Sequence, residues 1–271
     1  NSIPFDFAAD EAYLYINTGS GGNIYDRDGF GHTTPSSLGD SSPGIWFADE
    51  WKKLTGQVPL YQELAFSGAP ITPALTGKNV YWAPKNAIGD AAGDTSLMET
   101  WKDDFQRNSD LSAFSAEFKI QNNIAFILEG EADAGGFTGG DDVTLGALIG
   151  YMNSWLNDLS AKYGVKTFAI AKIGRNGTNQ TQINANAAGI QLVRDAWDSV
   201  IASRSDSYDV FPHLNHVPSP FVLDDLVVSS DGAWISGQAN QADGLHYLDV
   251  MYKAIAITSA RNLAVMLGVV N

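Results

Sequence analysis

The chain has 271 residues, of which 44% are hydrophobic and 17% charged, a composition that predicts a globular fold with a substantial core and excludes intrinsic disorder. Its net charge of -15 argues against a nucleic-acid partner, whose phosphates would repel it, and is compatible with a secreted, salt-adapted or virion protein. The absence of Cys excludes disulfides, thiolate metal ligands and a Cys nucleophile. No apolar run is long enough to cross a membrane, and no signal peptide is visible. The first residue is Asn rather than Met, from which we expect processing or excision from a longer protein. We also expect an extracellular or virion-associated location.

Predicted strands alternate with predicted helices along the whole chain. Short apolar runs rich in aromatic and β-branched residues predict five strands, at 12–17, 58–66, 124–128, 165–173 and 208–211. Apolar residues at helical spacing predict five helices, at 44–55, 95–118, 143–163, 183–203 and 248–267. The stretch 24–43, rich in Gly, Pro, Ser and Thr, is predicted to be a loop. This alternation predicts an α/β fold, a mostly parallel five-stranded sheet with helices on both faces, in one domain spanning 1–271 with long loops at one edge.

Two serines are candidates for a nucleophile near the start of the chain. Ser20 lies in a small-residue turn after the first predicted strand, a place where a nucleophile would be exposed. A plain Gly/Ser turn is the other interpretation of this stretch. Ser41 belongs to Gly39-Asp40-Ser41, which imitates a serine-hydrolase signature, but no predicted strand precedes it. Position therefore favours Ser20 over Ser41.

Gly68 lies in a Ser-Gly-Ala-Pro turn after the second predicted strand. A glycine there allows the backbone N–H to point outward, as an oxyanion donor requires, although an ordinary turn glycine is the alternative. In the loop that follows, Tyr81 and Trp82 either line a cleft or pack beneath the loop.

Three carboxylates follow the third predicted strand directly, at Glu129, Glu131 and Asp133, with Gly130 between the first two. The carboxyl edge of an open parallel sheet is where ligands bind. Carboxylates also suit hard divalent cations, so a metal site is an alternative, although the spacing of a calcium-binding loop is absent.

An acid–base pair lies close to the C-terminus, where Asp243 precedes His246 by three residues just before the last predicted helix. A histidine that takes a proton from a serine needs an acceptor on its other ring nitrogen, and that acceptor fixes its tautomer. His213 and His216 form a His-x-x-His pair, but the nearby prolines make a helical metal site there the less favoured interpretation.

Four of these segments would reach the same edge of a parallel sheet. In chain order they contain Ser20, Gly68, Gly130-Glu131-x-Asp133 and Asp243-x-x-His246. Here the chain resembles the SGNH hydrolases, and within them the sialate O-acetylesterase-like carbohydrate esterases. That family has a Gly-Gln-Ser-Asn first block, a glycine second block, a Gln-Gly-Glu-x-Asp third block and an Asp-x-x-His last block. The resemblance spans roughly residues 12–265, and the order and spacing of its short motifs support it.

The resemblance implies a three-layer α/β/α sandwich of the SGNH/flavodoxin-like kind and a serine esterase that removes O-acetyl groups from a carbohydrate without a cofactor or metal. It implies a catalytic triad of Ser20, Asp243 and His246. It also implies an oxyanion hole formed by Ser20, Gly68 and Glu129, with supporting roles for Gly130, Glu131 and Asp133.

Two positions depart from the family pattern. The first block reads Thr18-Gly19-Ser20-Gly21, in which only the serine is kept, and Glu129 replaces the glutamine of the third block. A carboxylate at position 129 would repel an oxyanion unless it were protonated or turned away. A carbohydrate-binding or receptor-binding module, for example of a viral tail, with weak or lost catalysis is therefore the second hypothesis. A metal-dependent hydrolase built on the three carboxylates is the third.

Overall fold

The computed structural model describes residues 12–20, 23–26, 31–33, 43–57, 59–66, 69–73, 80–85, 95–100, 123–174, 180–211 and 249–270. The described contacts group into two compact units, one formed by residues 1–67 and 248–271 and the other by residues 68–247. The single domain expected from the sequence stays a prediction.

The first unit contains a four-stranded sheet and two helices. In chain order these are β1 (Ala12–Ser20), β2 (Asn23–Asp26), β3 (Gly31–Thr33), α1 (Pro43–Thr55), β4 (Leu60–Phe66) and α6 (Asp249–Met266). β1 pairs in parallel with β4, and α1 lies between these strands in the sequence, so the segment is a βαβ unit. Both β2 and β3 pair with β1 in the antiparallel sense.

The start of this unit differs from the sequence prediction. β1 continues through Thr18 and Gly19 to Ser20, although the sequence predicted a strand ending at 17. The predicted loop at 24–43 is wrong in part, because it contains β3 and most of β2. Gly and Asn are poor strand formers in general. In β2 and β3 every residue pairs with β1, and this pairing outweighs the low strand propensity of Asn23 and Gly31.

Helices α1 and α6 pack together, and charged side chains fix the contact. Arg261 Nε donates a 2.6 Å hydrogen bond to Glu50 Oε1, and the Lys253 ammonium lies 4.6 Å from the centre of the Trp46 ring. Every residue from 254 to 260 is buried, so α6 is enclosed on all sides over two turns.

The second unit contains a parallel sheet of three strands, which lie in the order Ile124–Ile127, Thr167–Ala171 and Ser207–Phe211. Its elements are β5 (Val80–Tyr81), β6 (Thr95–Ser96), α2 (Leu97–Thr100), β7 (Ile124–Ile127), α3 (Glu131–Gly139), α4 (Leu145–Tyr163), β8 (Thr167–Ala171), α5 (Gln180–Ser203) and β9 (Ser207–Phe211). The last three predicted strands and the helices between them are confirmed to within a few residues. Of the helix predicted at 95–118, only α2 falls within the described residues, and β6 replaces its first two positions.

Helix α4 shows how sequence fixes these elements. Thr144 caps its first turn by accepting a hydrogen bond from the N–H of Ala147, and Gly164 ends it in a left-handed conformation with φ 68°. Between these caps, one face is buried at helical spacing by Leu148, Tyr151, Met152, Trp155, Leu156, Leu159 and Tyr163.

The architecture is therefore α/β with a parallel sheet and helices, and the described part of the chain does not contain a single five-stranded sheet. β8 is the central strand of its sheet, and its last four residues are fully buried. None of the described helices is both long enough and apolar enough to span a membrane.

Candidate functional site

The carboxyl end of β7 carries the acidic cluster that the sequence singled out. β7 ends at Ile127, and α3 begins at Glu131, so the short connection between them consists of Leu128, Glu129 and Gly130. Glu131 and Asp133 lie in the first turn of α3, where negative charge interacts favourably with the unpaired N–H groups of the helix.

Gly130 makes this connection sterically possible. Its φ of 130° is a conformation that residues with a side chain rarely adopt, and a Cβ placed on it would lie 2.5 Å from Val193 Cγ1. Glycine at this position therefore permits both the sharp turn out of β7 and the close approach of α5. The supporting role in catalysis assigned to Gly130 from the sequence stays a prediction.

Asp133 is fully buried and binds the chain segment that follows β4. Its Oδ2 accepts a 2.8 Å hydrogen bond from the N–H of Ile71, and its Oδ1 accepts a 3.0 Å bond from the N–H of Thr72. Burial raises the pKa of the Asp133 carboxyl to about 7, and the two N–H donors oppose that shift because they favour the charged form.

The backbone segment that Asp133 binds also forms hydrogen bonds with the backbone of Trp82 and Ala83. The N–H groups of Trp82 and Ala83 donate to the carbonyls of Pro70 and Ile71, at 2.9 and 3.1 Å. Tyr81 and Trp82 are buried, and the Trp82 ring stacks on Trp155 of α4 with centroids 5.5 Å apart. Of the two possibilities for these aromatic residues, packing beneath the loop is therefore the observed one.

Glu129 is held at its backbone by a buried indole. Trp197 of α5 donates a 3.2 Å hydrogen bond from Nε1 to the Glu129 carbonyl. Burial raises the pKa of the Glu129 carboxyl well above its ordinary value, and repulsion from Glu131 and Asp133 raises it further, against a smaller opposing effect of the Gly130 N–H. Burial and the acidic neighbours therefore favour the neutral form of the Glu129 carboxyl, in which it can donate a hydrogen bond.

The other site residues predicted from the sequence lie elsewhere in the chain. Ser20 is the last residue of β1 and pairs with Asn23 in the antiparallel ladder. Gly68, Asp243 and His246 lie outside the described residues, as do Ser41 and the His213/His216 pair. The described structure thus brings together Glu129, Gly130, Glu131 and Asp133, and the remaining assignments stay predictions.

Three contacts at this cluster were not predicted from the sequence. They are the amides of Ile71 and Thr72 on Asp133 and the indole of Trp197 on Glu129, each between residues more than 60 positions apart. The close approach of Gly189 to α3 left no distinguishing signal in the sequence, because Gly146 and Gly150 also lie inside a predicted helix and have nothing within 4 Å of an added Cβ.

Within the described ranges, no group of three or more His, Asp or Glu side chains is arranged to hold a metal ion. Both oxygens of Asp133 already accept backbone N–H bonds, so this carboxylate is the least available of the three.

The chain has distant structural likenesses among solved proteins. No family model matches the chain, and no curated protein matches it. A solved structure from Streptococcus pneumonia, described as a proposed platelet activating factor, aligns with a TM-score of 0.37 and 16% identity over 59% of this chain and 67% of that one.

Proposed function

We propose that this protein is a serine esterase that removes O-acetyl groups from a carbohydrate. The observation that carries the proposal is the Glu129-Gly130-Glu131-x-Asp133 segment at the carboxyl end of a parallel strand, in sequence order between Ser20 and Gly68 on one side and the Asp243/His246 pair on the other. Each segment supplies one part of an acyl-transfer site: nucleophile, oxyanion donor, supporting acids, and general base with its orienting acid.

In the proposed reaction, His246 removes the proton of the Ser20 hydroxyl as Ser20 Oγ attacks the acetyl carbonyl carbon. The ester C–O bond breaks, His246 returns the proton to the departing sugar hydroxyl, and the acetyl group stays on Ser20. A water then attacks this acyl-enzyme with His246 as base, releasing acetate and restoring Ser20. Asp243 orients His246 and stabilises its charged form.

The tetrahedral oxyanion needs donors, which the proposal assigns to the N–H groups of Ser20 and Gly68 and to Glu129. The raised pKa of Glu129 supports this assignment, because a neutral carboxylic acid can donate where a carboxylate would repel the oxyanion. In this respect Glu129 would act as the glutamine of the similar family does, provided that it keeps its proton.

We infer a three-layer α/β/α sandwich in which five mostly parallel strands form one sheet and the four segments meet at its carboxyl edge. The substrate partner would be an acetylated glycan, outside the cell or on a virion surface, without a cofactor.

The direct test is release of p-nitrophenol from p-nitrophenyl acetate by the wild-type protein and by the variants Ser20→Ala, Ser41→Ala and His246→Ala. We expect Ser20→Ala and His246→Ala to lose at least about a thousandfold in kcat. Ser41→Ala is the matched control and is expected to keep wild-type turnover. Full activity in Ser20→Ala with loss in Ser41→Ala would move the nucleophile to Ser41, which lies two residues before α1.

The second hypothesis, a glycan-binding or receptor-binding module with weak or lost catalysis, is favoured by one observation. Ser20 belongs to a strand ladder, opposite Asn23, rather than to a turn that follows a strand. A wild-type protein that binds glycans on an array but releases no acetate from acetylated glycans would support this hypothesis. Loss of hydrolysis on treatment with EDTA would instead support the metal-dependent alternative.

A further inference from the structure

Helix α5 binds the connections that leave the two neighbouring strands β7 and β8. Trp197 donates a 3.2 Å hydrogen bond from Nε1 to the Glu129 carbonyl, shortly after β7. Arg194 donates a 3.0 Å hydrogen bond from Nε to the Ile173 carbonyl, shortly after β8. The two side chains are three positions apart in α5, so they project from the same face of the helix. One face of α5 therefore binds the backbone at both strand exits.

The hydrogen bond from Trp197 acts on the peptide unit that joins Glu129 to Gly130. The carbonyl oxygen of this unit accepts the indole N–H, and its N–H, which belongs to Gly130, donates to the Glu129 carboxyl. Because a peptide unit is planar, holding its carbonyl also fixes the direction of its N–H. Donation to the carbonyl also polarises the peptide unit and strengthens its N–H as a donor. Trp197 thus acts on the Glu129 carboxyl through one rigid group.

Contacts on the other side of Gly130 restrict the same backbone. The Gly130 carbonyl accepts a 2.9 Å hydrogen bond from the N–H of Ala134 in α3, and a Cβ placed on Gly130 would lie 2.5 Å from Val193 Cγ1. Trp197 is fully buried, so packing confines its indole and keeps it away from a substrate. The backbone at Gly130 is therefore enclosed by α3 and α5, and Trp197 binds the carbonyl that precedes it.

The Gly130 N–H determines which oxygen of the Glu129 carboxyl is engaged. In a neutral carboxyl group one oxygen carries the proton, and the other accepts hydrogen bonds. An N–H donor binds the accepting oxygen, so the O–H stays available for a second acceptor. A glutamine side chain has the same polarity, with an oxygen that accepts and an NH₂ group that donates.

We propose that Trp197 is a positioning residue for Glu129. By holding the peptide unit between Glu129 and Gly130, it keeps the Gly130 N–H on the Glu129 carboxyl and leaves the O–H of that carboxyl available as the oxyanion donor. The catalytic part of this inference rests on the proposed esterase function, in which Glu129 is such a donor. Trp197 itself does not touch the substrate and acts through the backbone.

The test variant is Trp197→Phe, which keeps an aromatic ring in the buried space but removes the indole N–H. The matched control is Trp155→Phe, the same substitution at a buried indole of α4. Trp155 Nε1 donates to no acceptor in the part of the chain that the structure describes, so this variant reduces ring volume without removing such a hydrogen bond. Both variants are expected to melt earlier than the wild type, because both leave a smaller ring in the core.

Amide hydrogen exchange at Gly130 tests the positioning role without reference to catalysis. The residues next to this amide in the sequence are the same in all the proteins, so rates compared at one pH below the melting range report protection by the structure. We expect exchange at Gly130 to accelerate at least about tenfold in Trp197→Phe and to stay within about twofold of the wild type in Trp155→Phe. An unchanged rate in Trp197→Phe, or the same acceleration in both variants, would overturn the inference.

The catalytic consequence is measured with p-nitrophenyl acetate in a double-mutant cycle of Trp197→Phe and Glu129→Ala. We expect kcat of Trp197→Phe to fall by about 10- to 100-fold at a KM within about twofold of the wild type, since a misplaced donor weakens binding of the transition state alone. Because Trp197 acts through Glu129, the double variant should have the kcat of Glu129→Ala. Trp155→Phe should keep kcat within about twofold of the wild type.

A purely structural role for Trp197 gives different results. It would lower kcat by the same factor with and without the Glu129 side chain, or by equal factors in Trp197→Phe and Trp155→Phe, and either result would overturn the positioning role in catalysis. Faster exchange at Gly130 with an unchanged kcat would overturn it as well. If the wild-type protein shows no esterase activity, the proposed function itself fails, whereas the exchange rate of Gly130 still decides whether Trp197 holds this peptide unit.

Discussion

The backbones of α3 and α5 meet at Ala134 and Gly189, where a Cβ placed on Gly189 would lie 2.1 Å from the Ala134 carbonyl oxygen. Because the nearest atom belongs to the backbone, no rotation of a side chain alone relieves the clash, and the same Cβ would also lie 2.7 Å from Thr138 Oγ1. With Gly130 against Val193, this contact brings the helix that carries Glu131 and Asp133 directly onto α5.

The first prediction follows from that contact. Gly189→Ala is expected to lower the free energy of unfolding by about 1–3 kcal/mol, since the two helices must move apart to admit the methyl group. Gly146→Ala is the control, because Gly146 lies on the exposed face of α4 with nothing within 4 Å of the added Cβ. On this exposed helix face, replacement of glycine by alanine should raise the free energy of unfolding by about 0.5–1 kcal/mol, because alanine loses less backbone entropy on folding than glycine does. Denaturant unfolding of both variants checks this; a Gly189→Ala protein as stable as Gly146→Ala would contradict it.

The second prediction concerns pH. The pKa of Asp133 is about 7 in the folded protein against an ordinary value of 3.8, so between these values the folded state holds more protons than the unfolded state. The contribution of Asp133 is fully present below pH 4 and declines as pH rises through 7, by about 4 kcal/mol in total at 1.36 kcal/mol per pKa unit.

Unfolding of the wild type and of Asp133→Asn, followed between pH 4 and pH 8, measures this effect. Glu129 contributes in the same direction, because its pKa is also raised by burial and by its acidic neighbours. We therefore expect the stability of the wild type to fall more steeply with pH than that of the variant. Parallel curves for the two proteins would show that the carboxyl at 133 has no raised pKa.

The third prediction concerns a buried cation in the second unit. Lys172 is 8% exposed at its side chain and bonds to Asp198 and, at 2.7 Å, to Asp209. Lys172→Met keeps most of the apolar stem but leaves the partly buried Asp209 without its cation, at an expected cost of about 3 kcal/mol in the free energy of unfolding.

Lys162 provides the matched control for this variant. It also pairs with two acids, Glu99 and Asp158, but its side chain is 46% exposed, so Lys162→Met should cost less than about 1 kcal/mol. Chemical denaturation at low and high salt tests the comparison, because salt screens the exposed network more than the buried one. Similar costs for the two variants would contradict the distinction between them.

Some of these features could be predicted from the sequence, and others could not. Helix α4 was predictable because its apolar residues repeat at helical spacing between a threonine and a glycine cap, and β7 because it is a short apolar run. The extension of β1 to Ser20 was not, since Thr18 and Gly19 have the local chemistry of a turn and only pairing with β2 and β4 keeps them extended.

The sequence pattern predicted the acidic cluster, but it did not predict which groups form hydrogen bonds with Asp133. Position in the sequence indicated that Glu129, Glu131 and Asp133 follow a strand, whereas the partners of Asp133 come from a segment about 60 residues earlier and carry no side-chain signature. Backbone amides are present at nearly every residue, so the chain alone does not specify which of them a buried carboxylate will bind.

The last prediction tests whether Glu129 replaces the family glutamine as a neutral donor. Burial and the charges of Glu131 and Asp133 hold its pKa well above the ordinary value, so the carboxyl group donates below that pKa and repels an oxyanion above it. We expect kcat of the wild type to fall as pH rises through the folded pKa of Glu129, and Glu129→Gln to keep its activity over that range because its amide donates at every pH. Glu129→Ala should lose about 10²–10³-fold at all pH values, as expected for removal of one oxyanion donor.

The measurement is kcat for p-nitrophenyl acetate from pH 5 to pH 10, expressed as the ratio of Glu129→Gln to wild type. This ratio cancels the titration of His246, which must be neutral to act as a base in both proteins. A ratio that rises with pH supports a protonated Glu129 in the oxyanion hole. If the ratio is flat, or if Glu129→Ala matches the wild type, Glu129 does not contact the oxyanion, and the N–H groups of Ser20 and Gly68 would have to stabilise it alone.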